Sequence, residues 1–286
     1  MTLQEAPDIG EVVLHHTADA YSIGIEPFFS LSWERWPDLH LGGLTVNLTP
    51  TKHTFFLVIA ALLVFLTMWI AGRLLERQRA HERAPSGFAN AIEAMVLFVR
   101  NDMAIANIGA DGAKYAPYIM TLFFFILYAN LLGLIPHGAT ATGNVAVTGA
   151  LAITAFFVIE ISGLIKLGPQ GYLRTIFPRV PGLSGAGAVA MSIIMAPIEV
   201  ASKFVKPFAL CVRLFGNMTA GHFVILSLVG IVFLFGHLPG WNWGIGGLAA
   251  LTVLGIMLIE IFVAFLQAYV FALLTAVFIG LMQHEH

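Results

Sequence analysis

Arg213 stands in a long apolar stretch where an ionised side chain is expensive, and several residues near it could handle protons. The apolar region 188–235 also holds Glu199, Lys203, Lys206, Asn217 and His222, and the next one, 244–282, holds Glu260 and Gln267. An ionisable group at membrane depth costs about 2.5–3.5 kcal/mol on insertion scales, so it normally faces a cavity or a partner. Arginine stays protonated at any accessible pH. Arg213 therefore cannot relay protons, but it can attract a carboxylate and block proton passage. Histidine titrates near neutrality, which makes His222 a candidate for passing protons, with the carboxylates Glu260 and Glu199. Lys203 and Lys206 are expected to snorkel from the cytoplasmic start of their helix.

Spacing sorts these groups. Glu199 lies fourteen residues before Arg213, about 21 Å at helical rise, so Arg213 has no acid close by in its own helix. Its counter-ion is Glu160 or Glu260 of this chain, or belongs to a partner. At 100° per residue Glu199, Lys206, Arg213 and Asn217 share one side, whereas His222 is on the opposite side and ~13 Å further along. His222 and Glu260 stand 19 residues before and after Trp241, and Arg213 and Gln267 stand 28 before and 26 after it. In an antiparallel hairpin, His222 and Glu260 then share one depth, and Arg213 and Gln267 another. That order describes two aqueous half-paths separated by a fixed positive charge. A buried His–Glu pair that only ties two helices together is the plainer alternative.

The elements that position these groups must lie in a bilayer. The 286 residues are 58% hydrophobic and 10% charged, with a mean hydropathy of +0.87, far too apolar for a water-soluble domain. No basic patch of the density needed for nucleic acid is present. The single Cys211 excludes an intrachain disulfide and a cysteine-built metal site, and reads as a small hydrophobe. No basic segment followed by an apolar core marks a cleavable signal.

Five segments have the length and apolarity of membrane helices: 55–72, 115–136, 145–165, 188–235 and 244–282. Residues 1–54 form an acidic, irregular outer segment, with seven acids against Arg35 and Lys52; 55–286 form one membrane domain. The loop after the first span carries Arg73, Arg77, Arg79, Arg83, Arg100 and Lys114, and the connection 166–187 carries Lys166, Arg174 and Arg179. The connections 135–144 and 236–243 carry no Lys or Arg. The positive-inside rule then puts the N-terminus outside and the C-terminus in the cytoplasm. Segment 88–108 mixes apolar residues with Glu93, Arg100 and Asp102, as suits an interfacial helix. A helix over 244–282 would be about 58 Å long, against a hydrocarbon core of about 30 Å. The expected fold is thus all-α and polytopic, with about five crossing helices plus one interfacial helix. The last two helices form a long, strongly inclined antiparallel hairpin that Pro197 and Pro207 can bend.

The stretch KPFALCVRLFGNMTAGH at 206–222 resembles subunit a of the F-type ATP synthase, whose RLFGNMxAG pattern falls on Arg213–Gly221. The resemblance continues in PYIMTLFFFILYANLLGLIP at 117–136, PIEVASKFVKP at 197–207 and LIEIFVAFLQAYVFALLTAVFI at 258–279, and covers most of the chain from Thr49. It implies a stator subunit without catalytic chemistry or cofactor, working beside a ring of c subunits in a bacterial inner membrane with the b-subunit peripheral stalk and the rest of the complex. Arg213 takes the role of the arginine that meets the c-ring carboxylates. Asn217 and Gln267 match polar positions near it, and Glu199 matches a carboxylate of the cytoplasmic path. Many bacterial members carry an acid where His222 stands and a histidine where Glu260 stands, and here the two are exchanged. Gly133 stands where some members have an acid.

A polytopic secondary ion transporter is the alternative, but no internal repeat pairs two halves of the chain. An intramembrane hydrolase would need nucleophile or metal motifs of the GxSxG or HExxH kind, which are missing. Small residues at Gly216, Ala220 and Gly221 permit close helix approach. A His/Glu path favours H⁺ over Na⁺, although the c-subunit site mainly sets the coupling ion.

Overall fold

The computed structural model describes residues 22–25, 29–32, 34–41, 44–47, 49–81, 86–135, 140–178, 185–235 and 242–284. The acidic N-terminal segment, expected to be irregular, contains two short antiparallel ribbons. Strand β1 (Ser22–Ile25) pairs with β2 (Phe29–Ser32), and β3 (Leu39–Leu41) pairs with β4 (Leu44–Val46). These strands are too short for the period-two pattern to rise above the surrounding sequence.

All long elements are helices: α1 (Lys52–Ala80), α2 (Gly87–Phe98), α3 (Gly112–Gly133), α4 (Val145–Ile176), α5 (Ala186–Phe235) and α6 (Asn242–His284). Five of them, all but α2, are long and apolar enough to cross a membrane. The chain is an all-α polytopic membrane protein. Many of its large apolar side chains face outward, such as Phe65 and Trp69 of α1 and Phe208 of α5. In a bilayer that costs nothing, because lipid is as apolar as they are.

Several elements differ from the sequence expectation, α1 among them, which runs past the expected end at 72 to Ala80. The segment 88–108 is not one α-helix: after α2 the chain passes into a π-turn, Val99–Ile105, and a last α-turn, Ala106–Ile108. Asn107 there donates to the Met103 carbonyl at 2.7 Å. Helix α4 runs past Ile165 to Ile176, with a kink at Gly168 (φ 68°), where glycine alone takes the positive φ readily before Pro169. Helix α5 continues unbroken through Pro197 and Pro207. The turn counted around Trp241 and the cation Arg179 lie outside the described residues.

The chain divides into two compact units. The first comprises Met1–Leu63, Leu127–Asn144 and Phe215–Leu266. Its interior is partly polar: Asn130 is fully buried, donates to the Ala264 carbonyl at 3.2 Å and accepts from the Thr142 hydroxyl at 2.7 Å. The second comprises Val64–Ile126, Val145–Leu214 and Gln267–His286. It holds the large apolar core, with Phe123, Phe124, Ile119, Phe271 and Ile279 buried. Close approach there depends on small residues: a Cβ on Gly280 would strike the Asn107 carbonyl, and one on Gly163 would strike Met282.

Asp111, outside the membrane helices, ties this second unit at one end. It accepts hydrogen bonds from Lys166 and from Lys114, the latter at 2.9 Å. The Lys166 hydrogen bond, then that of Lys114, hold its carboxyl well below the usual range, at about 2. The depressed value means the contribution is complete above the ordinary carboxylate pKa and is lost as pH falls through about 2. The melting difference between parent complex and Asp111→Asn should therefore be small, constant at neutral pH, and vanish only in strong acid.

Candidate functional site

In the first unit α5 and α6 meet where the sequence arithmetic put His222 and Glu260 together. Glu260 is 8% exposed, and neither carboxylate oxygen has a hydrogen-bond partner among the described residues. The carboxylate lies against Gly221, where an added Cβ would overlap it, with Cδ at 3.0 Å. Gly216, by contrast, faces open space. Of the small residues around RLFGN, Gly221 is thus one that makes room for the Glu260 carboxylate. Glu260 is within electrostatic reach of His222, yet the two do not close a direct bond among the described contacts. The simple His–Glu tie considered from the sequence is not formed.

His222 is instead held by other groups. Its Nδ1 sits 3.0 Å from the Met218 carbonyl one turn back. Its Nε2 sits 3.0 Å from the Gly133 carbonyl, at the C-terminal end of α3, and 3.0 Å from the Thr140 hydroxyl. A helix leaves its last carbonyls unpaired and partly negative, so they suit a proton-bearing nitrogen. Gly133 has no side chain because Thr140 fills the space: a Cβ there would overlap the Thr140 hydroxyl and come within 2.9 Å of its Cα. The carbonyl of Thr140 in turn lies 3.1 Å from Nδ1 of the buried His53.

The second unit holds a different constellation. Lys203 does not snorkel. Its ammonium donates to Glu160 at 3.0 Å and to the Thr175 hydroxyl at 3.1 Å, and lies 4.3 Å from the Tyr172 ring centre. The Tyr172 hydroxyl donates to the same carboxylate. With side chains only 11% and 12% exposed, a lone charge at either position would be expensive, so the two are paired. This also corrects one counter-ion expected for Arg213, because Glu160 is engaged by Lys203. Glu199, Lys203, Lys206 and Ser202, together with apolar side chains such as Phe156 and Phe278, line a cavity of about 20 Å³ beside Glu160, enough for one water. Glu199 makes no ion pair among the described residues. Breaking the pair by Glu160→Gln should cost about 3–5 kcal/mol, and removing both charges with Lys203→Met as well should cost less. Thermal melting of the purified complex measures both.

Arg213, also in the second unit, is exposed, as are its apolar neighbours Val212, Phe208 and Phe204. Among the described residues it has no ion-pair or hydrogen-bond partner. Gln267 is fully buried and Asn217 is exposed. Arg213 is thus an exposed cation on an apolar helix face, with no acid partner among the described residues.

Sequence comparison decides the relationship. The family described as ATP synthase A chain matches residues 54–280. The chain belongs to that family. Among ATP synthase A chain relatives, the "ATP synthase subunit a" of Chlorobium phaeobacteroides is 43% identical over 272 residues, 95% of this chain and 75% of the relative. The "ATP synthase subunit a 2" of Chlorobaculum tepidum is 42% identical over 272 residues, 95% of this chain and 72% of its own. The "ATP synthase subunit a" of Myxococcus xanthus is 44% identical over 248 residues, 84% of this chain and 76% of the relative.

In the sequence, the stretch KPFALCVRLFGNMTAGH at 206–222 singled out Arg213, Asn217 and His222 as candidates. Sequence reasoning missed Thr140, Thr142, Asn130 and His53. The one available signal was polar residues in the uncharged connection 135–144, where Thr140 and Thr142 lie.

Proposed function

We propose that this chain is the proton-conducting stator subunit of an F-type ATP synthase in a bacterial cell membrane, with the N-terminus outside and the C-terminus in the cytoplasm. The observation that carries the reading is Arg213, an exposed cation on an apolar face with no acid partner among the described residues. Its counter-ion is the ion-carrying carboxylate of a neighbouring c-subunit ring.

A proton enters from outside by way of His222 and Glu260 and neutralises a c-subunit carboxylate, which can then turn into lipid. A carboxylate returning from the other direction loses its proton toward Glu199 and the cytoplasm. Arg213 keeps it ionised while it passes and denies protons a direct route between the two paths. The cavity at Glu199, and the carboxylate of Glu260 with no hydrogen-bond partner among the described residues, support the two ends of this scheme. Asn217 and Gln267 are assigned to the neighbourhood of Arg213.

The length of α5 and α6, 50 and 43 residues, supports steep inclination along a curved rotor. At helical rise they extend for about 75 and 65 Å, more than twice a hydrocarbon core of about 30 Å. Each proton crossing 100 mV releases about 2.3 kcal/mol, so several crossings must accumulate for each ATP made elsewhere in the complex. The subunit itself does no bond chemistry, and the b-subunit stalk holds it against the turning ring.

Purification from membranes under mild detergent tests the assignment. The chain should co-purify with a c ring, the stalk and the ATPase subunits. Recovery as a lone, active ion transporter would overturn it.

A further inference from the structure

Three acceptor or donor groups surround the ring of His222, and they are not equivalent. The carbonyls of Met218 and Gly133, each 3.0 Å from a ring nitrogen, can only accept. Both are satisfied together when the ring carries two protons. Once Nε2 gives up its proton, its lone pair faces the Gly133 oxygen, which is repulsive. The Thr140 hydroxyl, 3.0 Å from the same nitrogen, can rotate from accepting to donating. It is the group in this set that can serve both forms of the ring.

We infer that Thr140 is a positioning residue of the outer proton path, whose hydroxyl turns to hold the unprotonated Nε2 of His222 and so lets that histidine release its proton. The inference rests on the stator reading above. The hydroxyl is in place for this work because its backbone is fixed. Thr140 is 5% exposed. Its carbonyl accepts from the Gly143 amide at 2.9 Å and lies 3.1 Å from Nδ1 of His53. Its side chain is pressed against the bare backbone of Gly133. Among the described residues, the titratable groups around this arrangement are Glu260 from α6, beside the imidazole, and His53 from α1, on the carbonyl side of Thr140. Neither supplies a hydrogen bond to Nε2 among the described contacts.

The test uses membrane vesicles carrying the whole complex, with ATP-driven proton pumping followed across a pH series. Thr140→Val keeps the shape and removes the hydroxyl. It should lower pumping about tenfold at neutral pH and displace the pumping–pH curve about one unit toward alkaline, because the unprotonated ring loses its donor. Thr140→Ser, which keeps a hydroxyl, should recover most of the lost pumping. Pumping by Thr140→Val at the parent rate, a loss uniform across pH, or a serine variant as poor as the valine one would each overturn the inference. Arg213→Ala is assayed alongside. If it pumps normally the stator reading itself fails, whereas its loss beside an unaffected Thr140→Val defeats the Thr140 inference alone.

Discussion

Replacing Arg213 with alanine is expected to reduce ATP-driven proton pumping and ATP synthesis to background, a loss of at least about a hundredfold, while the complex still assembles. The side chain projects from an exposed apolar face and has no partner among the described residues, so its removal leaves no buried acid among them uncompensated. That is why assembly should survive: the amount and subunit composition of purified complex should match the parent. Function should not survive, because a passing c-subunit carboxylate would then lack the charge that holds it ionised. Lysine should be a poor substitute. Its ammonium is compact and strongly hydrated, whereas guanidinium spreads its charge over a planar fork that meets a carboxylate with two hydrogen bonds. Pumping at the parent rate by Arg213→Ala would remove the basis of the proposed mechanism.

The second large effect concerns His222 and Glu260. His222→Gln and Glu260→Gln should each lower pumping about a hundredfold, the lower end of what a positioned proton-transfer group contributes. The exchanged double variant, His222→Glu with Glu260→His, tests whether composition alone matters. The surroundings of the two positions argue that it does not. At 222 the side chain meets the carbonyls of Met218 and Gly133, which welcome N–H groups and repel a carboxylate. At 260 it is packed against Gly221, leaving little room for an imidazole ring. The exchange should therefore fail to restore pumping in this chain. A double variant that pumps close to the parent rate would show that the local hydrogen bonds do not decide the order.

The sequence alone determined the broad architecture of this protein, because a bilayer makes that problem nearly one-dimensional. A segment long and apolar enough to cross must be a helix, since lipid offers the backbone no other hydrogen bonds. Five such helices follow from length and composition, and all five are present. The solitude of Arg213 was legible for the same reason: no acid lies within a helical turn or two of it. Counting outward from a hairpin turn paired His222 with Glu260, since rise per residue is the same in both arms. Tertiary structure decided which side chains of different helices bond to one another. Glu160 meets Lys203 across 43 residues, and His222 meets Gly133 and Thr140 across 89 and 82. Periodicity reports which face of a helix a residue occupies, never which helix faces it. The desolvation cost of a charge or a lone pair then selects its partner, and that selection is made only when the helices pack.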